Sequence, residues 1–398
     1  MNHPPIAFAH RFDGISGSAI RDIFKLLGQP GMISFAGGNP SDAALEDGVL
    51  SALAQDVLAQ NGKRLLQYGA SEGWAPYREA TARFLREEIG VMVEEGEVLP
   101  TTGSTQAIDL LLKALIDPGD VILVEGPSFL GTLQAMRLYG AKLVSVAMDA
   151  QGLDLDALEE AVKAHKPKLL YTVPNFQNPT GVTLAADRRS AIAALAARYN
   201  FLIAEDDPYR GLRYRGEALP SIFSFDEEAR VIYLTSFSKL ISPGMRVGAV
   251  ATKHPELMRK LVIGKQSTDV HTPGLTQAMA AEYLNRGLLP AHVTGICARY
   301  REQLNHMMQG FEAFPAGVTV HAPDGGLFVW ATLPEGIDAV SLLKKAVAKG
   351  VAYVPGSYFY ADGGHLNTLR LNFSNAEPAL IDRGMSLLAE TVSAEMHL

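Results

Sequence analysis

Short apolar runs rich in β-branched and aromatic residues recur along this chain, separated by longer stretches whose apolar positions return at helical spacing. Val121-Ile122-Leu123-Val124, Phe201-Leu202-Ile203-Ala204 and Val231-Ile232-Tyr233-Leu234 have the length and composition of buried strands, and Leu143 to Val146 and Leu169 to Val173 read as strands as well. Ahead of the first, Ala107 to Lys113 (ending before Pro118-Gly119) reads as a helix, and between later ones so do about Asp154 to His165 and about Ala185 to Tyr199. This alternation predicts a mainly parallel sheet covered by helices. Val247 to Ala251 reads as a further strand, antiparallel given the short return from Leu234.

The ends of the chain read differently. Residues 1 to 17 look like a loose arm, and Ile20, Ile23, Phe24 and Leu27 then fall at helical spacing with Arg21 and Lys25 on the other face. Ile33 to Pro40 reads as a short strand followed by a tight turn at Gly37-Gly38. Gly326 to Trp330 and Leu369 to Phe373 are expected strands of a second unit beginning near residue 285. The expected division is 1–45 as an N-terminal arm and helix joining the small domain, 46–284 as the large domain and 285–398 as the small one.

A chain of 398 residues that is 47% hydrophobic and 20% charged is ordinary for a globular protein with a large core, and long enough for two domains. Its 43 acidic and 35 basic residues leave a net charge of −8, which argues against nucleic acid as a partner. The only cysteine, Cys297, rules out an intrachain disulfide and suggests a reducing compartment; within a helical pattern it reads as core. The Met-Asn-His-Pro-Pro start lacks the pattern of a signal peptide, and no charge-free apolar run approaches the roughly 18 residues of a membrane span. A cytoplasmic location without membrane contact is the expectation.

Candidate chemistry gathers at strand ends. Lys239 follows the Val231–Leu234 run at the carboxyl edge of the expected sheet, where loops bind ligands. A lysine in an apolar, hydroxyl-lined turn can lose its proton and attack a carbonyl, as lysines do in pyridoxal phosphate (PLP) enzymes. Ser236, Ser238 and Arg246 nearby would suit a phosphate. Ser-x-x-Lys alone is weak, and a surface loop with a solvated lysine is the alternative. Asp206 lies at the end of another strand: a carboxylate there can hold a pyridine nitrogen protonated and make the ring an electron sink, with Tyr209 on the ring hydroxyl. Asp-Asp-Pro-Tyr is equally a good turn sequence. Thr101 to Gln106 opens a helix, and its hydroxyls either cap that helix or, with its free N–H groups, form an anion site. Arg370 sits inside an apolar alternation, where an unpaired charge is costly.

Taken together, Asp206-x-x-Tyr209, Ser236-x-Ser238-Lys239 and Pro243-Gly244-Met245-Arg246-Val247-Gly248 resemble the fold-type I PLP-dependent aminotransferases. More narrowly, the chain is similar to the branch containing aminoadipate/kynurenine aminotransferases and the aminotransferase-like half of MocR-type regulators, from about Ile20 to Phe373. The resemblance implies an α/β chain of PLP-dependent transferase fold type I, with a mainly parallel sheet in a large domain and a smaller α+β domain.

It also implies roles. Ser104 and Thr105, in a Gly-Ser-x-Gln match, become the phosphate cup, joined by Ser236, Ser238 and Arg246. Phe129 stacks on the PLP ring where many relatives carry tyrosine. Asn178, in Pro174-Asn175-x-x-Asn178-Pro179-Thr180-Gly181, donates to the ring hydroxyl. Tyr68 reaches across a homodimer with shared active sites to the neighbouring phosphate. The Gly37-Gly38 turn approaches the substrate, Arg370 clamps its α-carboxylate as an alternative to a structural ion pair, and Arg21 faces the substrate side chain or stays on a solvated helix face.

The implied activity moves the amino group of an L-amino acid (2-aminoadipate, aromatic or branched-chain) to a 2-oxo acid such as 2-oxoglutarate. Lys239, Asp206 and Tyr209 would be catalytic. A PLP lyase or decarboxylase is the alternative, since residues that hold PLP do not fix which Cα bond breaks. A third class is a non-catalytic MocR-like regulator, for which the arm ahead of Ser18 is too short to fold as a DNA-binding domain. Neither Gly-x-Gly-x-x-Gly nor Gly-x-x-x-x-Gly-Lys-Ser/Thr occurs, which argues against nicotinamide and nucleotide enzymes.

Overall fold

The computed structural model describes residues 6–13 and 31–396. The expected helix from Ser18 to Leu27, with Arg21 and Lys25, lies outside the described residues. The first strand, Ile33–Ser34 (β1), pairs in parallel with a strand far along the chain, Ile33 opposite Val351.

Eight strands build the large sheet: Val98–Thr101 (β2), Val121–Gly126 (β3), Lys142–Asp149 (β4), Gly152–Leu153 (β5), Leu169–Thr172 (β6), Leu202–Asp206 (β7), Val231–Ser236 (β8) and Gly248–Thr252 (β9). Their order is β2-β9-β8-β7-β6-β3-β4-β5. The central pairs β4–β3–β6–β7–β8 are parallel, while β9 is antiparallel to both β8 and β2. The antiparallel return after Arg246 is therefore as expected from its length.

Successive residues of the central strands enter different cores. Ile122, Leu169, Ala204 and Ile232 belong to one cluster with Ile108 and Leu111 of helix Ser104–Leu115; Leu123, Leu170, Ile203 and Tyr233 belong to another with Leu158 and Ile192 of the crossover helices Leu155–His165 and Ala186–Tyr199. Burial on both faces explains why these strands read as unbroken apolar runs. It also leaves their carboxyl ends as the place where polar side chains can gather: β7 ends on Asp206, β8 on Ser236, and Asp206 sits opposite Leu234.

The second sheet is antiparallel, in the order Thr319–His321 (β10), Phe328–Thr332 (β11), Thr368–Asn372 (β14), Val354–Pro355 (β13), and Val351–Ala352 (β12) is the partner of β1. The segment after β1 docks against it: the N–H of Asn372 donates to the Phe35 carbonyl at 2.7 Å. The strand expected over Gly326–Trp330 starts two residues later. Gly325 and Gly326 precede it, packed so closely on Phe176 that a Cβ at Gly325 would meet its ring and one at Gly326 its Cβ, and Gly326 has φ +74. Among the described residues no helix is long and apolar enough to cross a membrane.

Candidate active site

One cavity of about 370 Å³ lies at the carboxyl edge of the large sheet and is closed on the far side by Phe328 and Arg370 of the small one. Every site residue singled out from the sequence lines it except two: Tyr68, which is 82% exposed on the surface, and Arg21, which lies outside the described residues.

At one end are the hydroxyls. Ser236 ends β8, and its Oγ accepts from the Ser238 N–H at 3.2 Å and lies 2.9 Å from the Ser238 Oγ. Arg246 reaches Ser238 Oγ at 3.4 Å and donates to the Thr102 carbonyl at 2.7 Å. Helix Ser104–Leu115 begins here, earlier than the sequence suggested, and its N-cap is Gly103 at φ +89 with no side-chain cap bond. The hydroxyls of Ser104 and Thr105 are thus not spent on capping. Both residues line the cavity at the first turn of the helix, whose N–H groups have no intrahelical partner, and this is the setting of an anion site at a helix N-terminus.

Lys239 is half-buried, and its Nζ donates to the Gly38 carbonyl at 2.6 Å. Burial lowers its pKa to about 8, and the Arg370 and Arg246 charges push the same way. Asp206 is held through one oxygen: Tyr171 donates to Oδ2 at 2.8 Å, while Oδ1 is buried with no partner. Burial lifts this carboxyl to about 7, the Tyr171 hydrogen bond pulls it back, and the neighbouring Asp207 charge adds to the rise.

At the other end Arg370 is almost fully enclosed. Its guanidinium lies between the rings of Phe328 and Phe359, 4.2 and 5.0 Å from their centroids, and donates to Asn178 Oδ1 at 2.9 Å and to the Ala36 carbonyl at 2.8 Å. No carboxylate pairs with it among the described residues, and its Nε is buried without a partner. Burial lowers its pKa to about 10, which still leaves it charged at neutral pH. The Asn178 amide also donates to the Tyr209 hydroxyl at 3.2 Å, so one asparagine joins the arginine to the tyrosine. Phe129 stands beside Gly131, where a Cβ would meet its ring at 2.9 Å.

The family profile described as "Aminotransferase class I and II" matches residues 30–388. The chain belongs to the class I and II aminotransferases. An aromatic-amino-acid aminotransferase of Thermococcus litoralis is 42% identical over 98% of this chain and 94% of its own length. A 2-aminoadipate transaminase of Thermus thermophilus is 41% identical over 98% of both. The crystal structure of an α-aminoadipate aminotransferase from the same species, complexed with N-(5'-phosphopyridoxyl)-L-leucine, has 38% sequence identity and superposes with a TM-score of 0.90 over 98% of each chain. The fold is that of the fold-type I PLP-dependent aminotransferases, an α/β chain built on a large, mostly parallel sheet.

The residues of this aminotransferase fit PLP on the structure's own terms. A buried carboxylate oxygen without a donor, Asp206 Oδ1, is what a protonated ring nitrogen would satisfy, and the hydroxyl and helix N-terminus end matches a phosphate in chemistry and charge.

Several supporting residues of the aminotransferase site were not legible beforehand. Tyr171 pairs with Ala204 across β6 and β7, which places it on the same face as Asp206, and Thr132 donates to its hydroxyl at 3.3 Å. Asn175 donates to both oxygens of buried Asp207 at 2.8 and 2.9 Å, and Arg189 holds Asn175 Oδ1 at 2.8 Å and the Pro174 carbonyl at 3.0 Å. Glu125 takes the Gln177 amide at 2.9 Å and the Thr172 hydroxyl at 2.6 Å, and its burial raises it to about 7. These contacts fix the loop that presents Asn178. The only sequence signal for them was polarity at strand ends.

Tyr171→Phe tests the least expected of these contacts. Its hydroxyl lowers the Asp206 pKa, so its loss raises that pKa, and the acid limb of kcat/KM should move to higher pH. A charge-assisted hydrogen bond is worth about 1.5–3 kcal/mol, so kcat should fall by about 10- to 100-fold. An unmoved acid limb would remove Tyr171 from the site.

Proposed function

We propose that this aminotransferase takes the amino group from an L-amino acid with an apolar or aromatic side chain and delivers it to a 2-oxo acid, with 2-oxoglutarate as acceptor. Arg370 carries this reading: it is a buried guanidinium with no carboxylate partner among the described residues, lining the same cavity as Lys239 and suited to a substrate carboxylate. When bound, PLP supplies the ring that stabilises the electron pair released at the substrate Cα.

The protein's own groups do the rest. Arg370 and Asn178 bind and orient the substrate carboxylate. Lys239, with its lowered pKa, moves the proton at Cα. Asp206 holds the ring nitrogen charged, and Tyr209 with Asn178 holds the ring hydroxyl. Ser104, Thr105, Ser236, Ser238 and Arg246 hold the phosphate, and Phe129 covers the ring face. Positioning by several fixed groups is what makes a single proton transfer fast.

The donor class rests on the walls of the cavity. Ala36, Gly38, Leu130, Gly131 and Phe328 are small or apolar, and each cation lining it among the described residues already has a task. Relatives named for aromatic amino acids and for 2-aminoadipate bracket this preference. A donor panel with 2-oxoglutarate decides it: leucine and phenylalanine should equal or exceed 2-aminoadipate in kcat/KM. A selective loss for 2-aminoadipate in Arg21→Gln, about 1–3 kcal/mol, would give the pocket a second carboxylate partner and turn the preference toward dicarboxylates.

The same proposal includes a homodimer in a cytoplasmic setting. Leu66 is 75% and Val270 44% exposed, Tyr68 meets His271 edge-on at 6.2 Å, and an apolar face around Tyr68 suits a second copy that receives its hydroxyl in the partner's phosphate end. The division near residue 285, with the arm joining the small domain, is retained on the ground that the two sheets meet at the cavity.

A further inference from the structure

Gln106 closes the Gly-Ser-x-Gln turn yet does not line the cavity. Its side chain turns back beneath the phosphate end. Gln106 Oε1 accepts from the Thr102 N–H and from Lys265 Nζ, both at 2.9 Å, and its amide nitrogen donates to Asp269 Oδ2 at 2.6 Å. Lys265, whose side chain has 0% exposure, also donates to both Asp269 oxygens at 3.1 Å. An ammonium only donates and a carboxylate only accepts, so together they fix which way the Gln106 amide points.

The consequence reaches the cavity through Thr102. Its N–H is held by Gln106 and its carbonyl by Arg246, and the next residue, Gly103, has φ +89 with no room for a Cβ against the Arg246 guanidinium. The directions of the N–H groups at Ser104 and Thr105 follow from this peptide. An i,i+4 ion pair at the end of helix Pro255–Gln266 would by itself need no more than a surface position. In this one the lysine is buried and the carboxylate about a quarter exposed, the lysine also ends on a side chain of another helix, and the pair is followed by Val270 at φ +66, a β-branched residue in a left-handed conformation whose N–H donates to the Lys265 carbonyl at 3.2 Å.

We propose that Lys265 and Asp269 are positioning residues that act through Gln106 to shape the phosphate-binding turn, so that affinity for the phosphate of the cofactor depends on them while proton transfer at Cα does not. The proposal rests on the reading of Ser104, Thr105 and Arg246 as the phosphate end.

The test uses cofactor-free full-length chain in phosphate-free buffer and compares pyridoxamine 5'-phosphate with pyridoxamine by equilibrium dialysis. Lys265→Met strands the Asp269 charge, so Lys265→Met/Asp269→Leu, which removes both charges, is measured beside it. Both variants should bind pyridoxamine 5'-phosphate about tenfold or more weakly, bind pyridoxamine as the parent does, and keep kcat within about threefold at saturating cofactor. Equal losses for the two ligands, or no loss in the folded double variant, would overturn the proposal. Arg246→Gln is the control for its foundation. If that variant shows no phosphate-selective loss, the phosphate end is misassigned and the proposal falls with it; if it alone shows one, only the role of Lys265 and Asp269 falls.

Discussion

Lys239→Ala should lower kcat by about 10⁴-fold, the upper end of what a positioned proton-transfer group contributes, and abolish borohydride-dependent attachment of the cofactor to the chain. The structure gives three reasons to single out this lysine. It follows β8 at the cavity, burial and two arginines bring its pKa down to about 8, and its Nζ is held at 2.6 Å from the Gly38 carbonyl rather than by a carboxylate that would keep it protonated. A lysine with this pKa has an appreciable neutral fraction at neutral pH, where an ordinary one has almost none. The amine fraction grows as pH rises through about 8, so the basic-form requirement predicts activity climbing over that range in the parent and no such climb in residual activity of the variant. The cofactor should remain bound, because Ser236, Ser238, Arg246 and the turn at Ser104 are untouched. Substantial turnover by a variant that no longer fixes cofactor on reduction would move the chemistry to another residue.

Lys239 and Asp206 were legible because strands buried on both faces leave unbroken apolar runs, and the first polar residues after such runs fall at the sheet edge. The helix at Ser104 was legible in existence but not at its start, since Gly103 replaces a hydroxyl cap through its φ of +89. Arg370 stood between an ion pair and a clamp. The structure decides against the ion pair among the described residues by placing the guanidinium between Phe328 and Phe359 with only neutral acceptors. Contacts that depend on register across strands or on meetings of distant helices were out of reach. Tyr171 touches Asp206 only because it pairs with Ala204, and Lys265 meets Gln106 only because two helices cross; neither relation leaves a periodic trace in one sequence.

Asp206→Asn should separate activity from stability. Activity should fall by about 10²-fold or more, because an amide gives a ring nitrogen no charge to hold its proton. Stability of the cofactor-free chain should move the other way. Asp206 has its ordinary value of 3.8 when unfolded and about 7 when folded, so between those values the folded chain binds more protons than the unfolded one. Stability contributed by this residue is therefore present at low pH and is lost as pH rises from about 4 to about 7. At 1.36 kcal/mol per unit, the stranded charge costs up to about 4 kcal/mol above pH 7. Asparagine carries no such charge and still accepts from Tyr171, so the cofactor-free variant should melt higher than the parent at pH 7.5 and match it near pH 4. Glu125 and Glu205, also raised to about 7 by burial, keep part of the pH slope in both proteins. Cofactor binding should reverse the order, since a cationic ring nitrogen stabilises the parent's carboxylate and not the amide. A variant that melts lower than the parent without cofactor at pH 7.5, or that turns over normally with it, would show that Asp206 is an ordinary structural carboxylate.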